Sequence, residues 1–128
     1  MTEHTSPRAT VFVTNMSPDH KYESLTIYGA IRPITTGNYP IFKTQRLIEE
    51  IANALVNSEA TDYLALSGSN FVAALCLLEW LLIHKECNVL LYDSRQRSYV
   101  PRPLKKAEII VQIEKERDKV DAQAGGTA

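Results

Sequence analysis

The sequence carries few of the residues on which chemistry is usually built. Among its 128 residues are two cysteines, three histidines, five glycines and one tryptophan. Two cysteines exclude the disulfide framework that holds small secreted domains together. Cys76 falls in an apolar helix and Cys87 at the start of an apolar strand. Both read as buried, reduced thiols of a cytoplasmic protein. His4, His20 and His84 lie far apart, and no Cys/His spacing fits a zinc site. No metal and no other cofactor is expected. Charge of one sign is lacking too. A net charge of −1 excludes a wholesale basic nucleic-acid binder and leaves only local patches to consider. The longest apolar run, Phe71 to Ile83, is too short to span a bilayer and contains Glu79. The opening "MTEHTSPRAT" is polar, without the apolar segment of a secretory signal. A soluble, cytoplasmic protein with no membrane partner is the expectation, in a host cell if a virus encodes it.

What is present suits one globular domain. Hydrophobic residues make up 45% and charged residues 23%, so a true core is expected. Residues 1–9 read as a disordered leader, 10–121 as a single α/β domain and 122–128 as a flexible tail. "TVFVTN", Thr10 to Asn15, is a β-branched run ending in a turn former, hence a strand. Leu25 to Thr35 has the content of a second strand, with Gly29 and Pro33 marking a bulge or an edge. Thr44 is placed to cap a helix whose apolar residues Leu47, Ile48, Ile51, Ala52 and Leu55 share one side. Arg46 and Glu50 form an i,i+4 pair on its outer side. "DYLALSG" is a short central strand. Asn70 to Lys85 is a helix and Cys87 to Asp93 a strand. "SYVP" returns as an edge strand, since Pro101 cannot sit inside a sheet. Residues 104–120 fit two periods. Ala107, Ile109, Val111 and Ile113 alternate like a strand, while Ile109, Ile110, Ile113 and Val120 have helical spacing. Pro103 and the charge-rich stretch that follows favour the helix. The fold expected is an α/β single-domain sandwich. Its sheet is mixed and partly parallel, with one right-handed βαβ crossover over Tyr63–Asp93.

Two candidate sites follow. Asn15, the turn Ser67-Gly68-Ser69-Asn70 and Asp93 each end a segment at what would be one carboxyl edge of the sheet. Gly68 would let a phosphate approach the backbone, and the free N–H groups of the next helix suit an anion. The competing reading is that Ser69 or Asn70 only caps that helix and Gly68 only makes the turn. The P-loop lysine and the three-glycine spacing are both absent. The second candidate runs from Ser94 to Ala107. It carries Arg95, Arg97, Arg102, Lys105 and Lys106 without an acidic residue, and Tyr99 among them is placed to stack on a base. The alternative is a solvated hairpin tip with an edge strand protected by charge.

The helix Asn70–Lys85 is apolar nearly all round and should be covered on every side. A domain this small covers only part of it. Leu77, Trp80 and Leu81 are expected to face outward and to form the interface of a homo-oligomer, most simply a two-fold dimer. Glu79 needs a partner in such a helix. Two roles stand: pairing with an arginine across the dimer, or a site acid. His84 suits the helix C-terminus as a charge. Cys76 shares a helical side with Glu79 and has no histidine at a definable distance.

The pattern "TVFVTN … DYLALSGSN … NVLLYDSRQRSYVPR", from about Val11 to Arg102, resembles small uncharacterised proteins encoded by bacterial viruses and other mobile elements. They are similar in an early strand, a "DYL-x-L-(S/T)-G" segment, an apolar helix and a "LL-x-(W/Y)-D-x-R-x-x-x-Y" hairpin. The resemblance implies an accessory role in a virus or mobile element and transfers no site residue. Three functions follow. The first is a non-enzymatic, homo-oligomeric protein contacting nucleic acid through Arg95–Lys106. The second is a binder, or more weakly a hydrolase, of a phosphate-bearing ligand such as a nucleotide at Ser67–Asn70. The third is a self-assembling structural protein. The lack of an acid/base pair favours binding over catalysis.

Overall fold

A computed structural model describes residues 9–40 and 42–126. Residues 1–8 of the span read as a leader, and 127–128 of the tail, lie outside the described residues. The chain order is β1 (Thr10–Met16), a 3-10 helix (Glu23–Ile27), β2 (Ala30–Thr36), α1 (Thr44–Leu55), β3 (Tyr63–Ala65), α2 (Asn70–Ile83), β4 (Glu86–Asp93), β5 (Ser98–Lys105) and α3 (Lys106–Gly126). The five strands form one sheet in the order β2-β1-β3-β4-β5. The first four are parallel, and β5 returns antiparallel to β4. The fold is the expected α/β domain with a mixed sheet.

The order runs outward from β1 to β2, then reverses toward β3 and β4. Crossovers of one hand must therefore change faces at the reversal. The 3-10 helix covers one face and the helices α1 and α2 cover the other. The helical face buries Phe12, Leu47, Ile51, Leu64, Val72, Cys76 and Trp80 in one core. The opposite face buries Val11, Val13, Tyr22, Leu25, Ala65, Leu90 and Tyr99 in another. The reversal lies between β1 and β3, where doubly wound sheets open a crevice at the carboxyl ends of the strands.

Four elements differ from the sequence reading. The strand expected from Leu25 starts at Ala30. Before it, Leu25 N–H donates to Tyr22 O and Tyr28 N–H to Leu25 O, a tight 3-10 turn that sinks Leu25 into the core. Gly29 separates the two, because a methyl group there would collide with Ala9 O. β2 is an edge strand, as Pro33 required. The N-cap of α1 is Lys43, without a side-chain cap, and Thr44 is already helical. β5 extends through Leu104 to Lys105. Pro101 and Pro103 are two apart, so both ring nitrogens point to the same, unpaired side of the edge strand. α3 then carries helical backbone to Gly126, beyond Asp121. Arg46 Nε and Glu50 Oε1 pair at 3.4 Å on the surface of α1, as their spacing implied.

Trp80 is the largest correction. It is fully buried within the chain. Its ring meets Phe12 edge-on at 5.9 Å, and Nε1 donates to Glu86 O at 3.0 Å. Leu77 and Leu81 are partly buried against the same core. The bulkiest side chain of α2 gains most from burial, so Trp80 sets the helix rotation. The outward stripe is instead Phe71, Leu78 and Leu82, at 45%, 56% and 75% exposure. From Ala107 to Gly125 every residue of α3 is exposed. No helix among the described residues is long and apolar enough to cross a membrane.

Candidate functional site

The parallel registers bring the ends of β1, β3 and β4 to one edge, so Asn15, Ser67 and Asp93 share it. Asn15 does not face an open crevice. Its Oδ1 accepts from Thr35 Oγ1 at 2.7 Å, and its Nδ2 donates to Gly37 O at 3.1 Å. Thr14, on the same strand, takes the other side. Its Oγ1 donates to Ser67 O at 2.7 Å and accepts from Ser67 N–H at 2.8 Å. Ser67 Oγ lies 3.0 Å from Tyr22 OH, which also accepts from Ser17 N–H at 2.8 Å. These bonds tie four segments together at the switch point.

Within the turn, Gly68 has φ of 81°. A methyl group on it would meet Asn15 Nδ2 at 2.6 Å. Glycine is thus required both by the left-handed backbone and by the amide packed against it. Ser69 is the N-cap of α2, its Oγ accepting from Val72 N–H at 3.5 Å. The turn meets every demand of a helix start. A cleft of about 440 Å³ opens beside it, lined by Ser67, Gly68 and Asn70 and otherwise mostly by apolar side chains such as Leu66, Leu77 and Leu91. Asp93 faces the hairpin, accepting from Arg95 N–H at 2.9 Å and lying 3.8 Å from Arg95 Nε.

His20 is the chemistry-bearing residue at this edge that sequence reasoning passed over. It lines two clefts, of about 510 Å³ and 490 Å³. Its Nε2 lies 3.0 Å from Tyr99 OH, and its ring meets Tyr22 and Tyr92 edge-on at 4.7 and 4.6 Å. Burial pushes the Tyr99 phenol up to about 12, so it stays protonated at neutral pH. The available signal was position: His20 follows the first strand, and that loop reaches the carboxyl edge in any such sheet. The arrangement pins the 17–29 segment over the open face of the sheet. Among the described residues the side-chain partner of Ser67 Oγ is the Tyr22 hydroxyl, with no imidazole or carboxylate in hydrogen-bond contact. Among the described residues no group of three or more His, Cys, Asp or Glu is placed to hold a metal ion.

The basic segment is divided by the fold. Tyr99 is buried among aromatic rings and has no face free for a base. Lys106 Nζ donates to Leu81 O at 2.7 Å. Arg95, Arg97, Arg102 and Lys105 are exposed. Arg97, at the hairpin tip with φ of 53°, is separated from Lys105 by the length of β5, about 27 Å at strand rise. Glu79 faces a groove between α1 and α2, lined also by Ala52, Val56, Leu82 and Ile83. Burial raises its carboxyl above the usual range. His84 caps α2 and meets Ser58 Oγ through Nε2 at 2.8 Å. Burial, and then Glu79, pushes the Cys76 thiol up to about 12.

Fold and edge together define a small α/β protein built on four parallel strands, with the end of β1 tied by side-chain hydrogen bonds to its neighbours at the carboxyl edge. The chain belongs to the Phage Pam3 gp32-like protein family, whose pattern matches residues 7–106. That membership bears out the resemblance to proteins encoded by bacterial viruses. No curated protein and no solved structure matches the chain.

Proposed function

We propose that the protein is a non-enzymatic accessory protein of the phage that works as a homo-oligomer in the host cytoplasm. The outer face of its helix layer would be the contact surface. The observation that supports this most is the stripe of Phe71, Leu78 and Leu82 on the solvent side of α2. An outer helical face is normally polar, and a contiguous apolar one marks an interface. The stripe runs into the α1/α2 groove, where Val56 is 65% exposed. Sedimentation equilibrium tests the reading. The wild type should exceed the 14.4 kDa of one chain, and Leu78→Glu/Leu82→Glu should return it to that mass with unchanged circular dichroism. A wild-type mass of one chain at high concentration would overturn it.

A second reading, contact with nucleic acid, is favoured by the four exposed cations Arg95, Arg97, Arg102 and Lys105 on a segment free of acidic residues. A dimer would present this segment twice. In such a dimer Arg95→Ala/Arg97→Ala removes up to four phosphate contacts and should flatten the logarithmic salt dependence of binding by up to about four units. Binding that ignores salt or this double substitution counts against the segment.

A further inference from the structure

Two features at one end of the helix layer lack partners, and each has what the other needs. The first is the groove between α1 and α2, about 330 Å³, with Val56, Leu82 and Ile83 exposed along it. Glu79 Oε2 is buried at its wall and has no hydrogen-bond partner among the described residues. An unpaired carboxylate in an apolar wall costs free energy until a cation reaches it. The second feature is α3. An isolated helix in water is marginal, and one this exposed draws its stability from whatever it packs against. Ile109, Ile113 and Val120 fall on one side of it at helical spacing. Arg117, one turn after Ile113, borders the same side and forms no ion pair among the described residues.

We propose that α3 of a second copy of this chain fills the α1/α2 groove, with Arg117 on Glu79 and Ile113 over Leu82 and Ile83. The inference rests on the self-association reading and names its contact. The spacings agree. Glu79 and Ile83 are four residues apart, as are Ile113 and Arg117, so each pair spans about 6 Å of helix. Antiparallel packing therefore lets both contacts form together. Ile109 and Val120 extend the apolar contact to either side. The exchange can be reciprocal, because α3 starts beside its own chain's groove. Lys106 N–H donates to Lys85 O at 3.0 Å, and its Nζ holds Leu81 O at the end of α2. Two copies facing each other across a two-fold axis would each give α3 and receive one. The family match ends at residue 106, so the segment that makes this contact lies beyond what the chain shares with the family pattern.

The test is a charge exchange in the full chain, read by sedimentation equilibrium. Arg117 is exposed in the single chain, so Arg117→Glu should fold normally and weaken self-association at least about tenfold. Glu79→Arg should do the same, and the double variant should restore affinity to within a few-fold of wild type. Glu79→Gln and Arg117→Gln add no new charge to the groove and give a second cycle, in which the two losses overlap instead of adding. A dimer indifferent to Arg117→Glu and Ile113→Glu, yet broken by Leu78→Glu/Leu82→Glu, overturns the role of α3 and leaves self-association standing. A double variant no tighter than either single overturns the ion pair. A monomeric wild type, including one whose α3 folds back on its own groove, overturns both.

Discussion

Asn15 and Gly68 show how a turn that resembles a ligand cradle is held by its neighbours. The amide of Asn15 spends its acceptor on Thr35 and one donor on Gly37, which fixes the side chain against the Gly68 backbone. Gly68→Ala therefore meets two costs. A left-handed φ costs a non-glycine residue about 1–2 kcal/mol. The added methyl also lands on an amide that cannot move without breaking buried bonds. We expect a loss of at least about 2 kcal/mol in urea unfolding. Millimolar sulfate, phosphate or nucleotide should shift the melting of neither wild type nor variant. A ligand-induced shift in the wild type alone would instead favour a phosphate site at Ser67–Asn70.

At the scale of elements, the N-terminus of α1 is a helix end without a side-chain cap. Lys43 stands at the N-cap, makes no side-chain bond to the first turn and puts a positive charge at the positive end of the helix dipole. Lys43→Asp supplies an acceptor and reverses the charge, so it should stabilise the domain by about 0.5–1 kcal/mol, read as a higher urea midpoint at unchanged slope. An unchanged midpoint would mean that this end is frayed. α1 was legible in the sequence because its apolar residues keep one period. So were β1, β3 and β4, whose apolar runs stop at turn formers. The shared edge of Asn15, Ser67 and Asp93 followed from that alternation. The outward face of α2 was not legible, because a helix apolar on all sides has no phase to read. Only packing against Phe12 reveals that Trp80 points inward. The segment around Leu25 has strand-like composition, yet one buried leucine and local 3-10 bonds outweigh it. Tyr99 and His20 are 79 residues apart, and no local pattern announces such a pair.

The whole molecule is one sheet between two unequal cores, and both cores hold weak acids in neutral form. Cys76 and Cys87 lie under the helices, and Tyr99 lies under the 17–29 segment. Burial pushes each of the three up to about 12, with Glu79 adding to the effect at Cys76. The ordinary values are 9.0 for the thiols and 10.0 for the phenol. The unfolded chain therefore gives up these protons first as pH rises. Above the ordinary values it binds fewer protons than the folded chain, and stability falls with pH. The contribution is complete below pH 9 and is lost progressively between about pH 9 and pH 12. Urea midpoints should thus hold level from pH 7 to 9 and decline beyond. Cys76→Ala/Cys87→Ala should flatten the first part of the decline and Tyr99→Phe the later part, whatever either costs at neutral pH. The same burial predicts that neither thiol reacts with a disulfide reagent at pH 8 until urea unfolds the chain, when two equivalents react together. A thiol that labels in the native protein at the rate of free cysteine would show that the helical face opens without global unfolding, and the decline in stability above pH 9 would then have to come from Tyr99 alone.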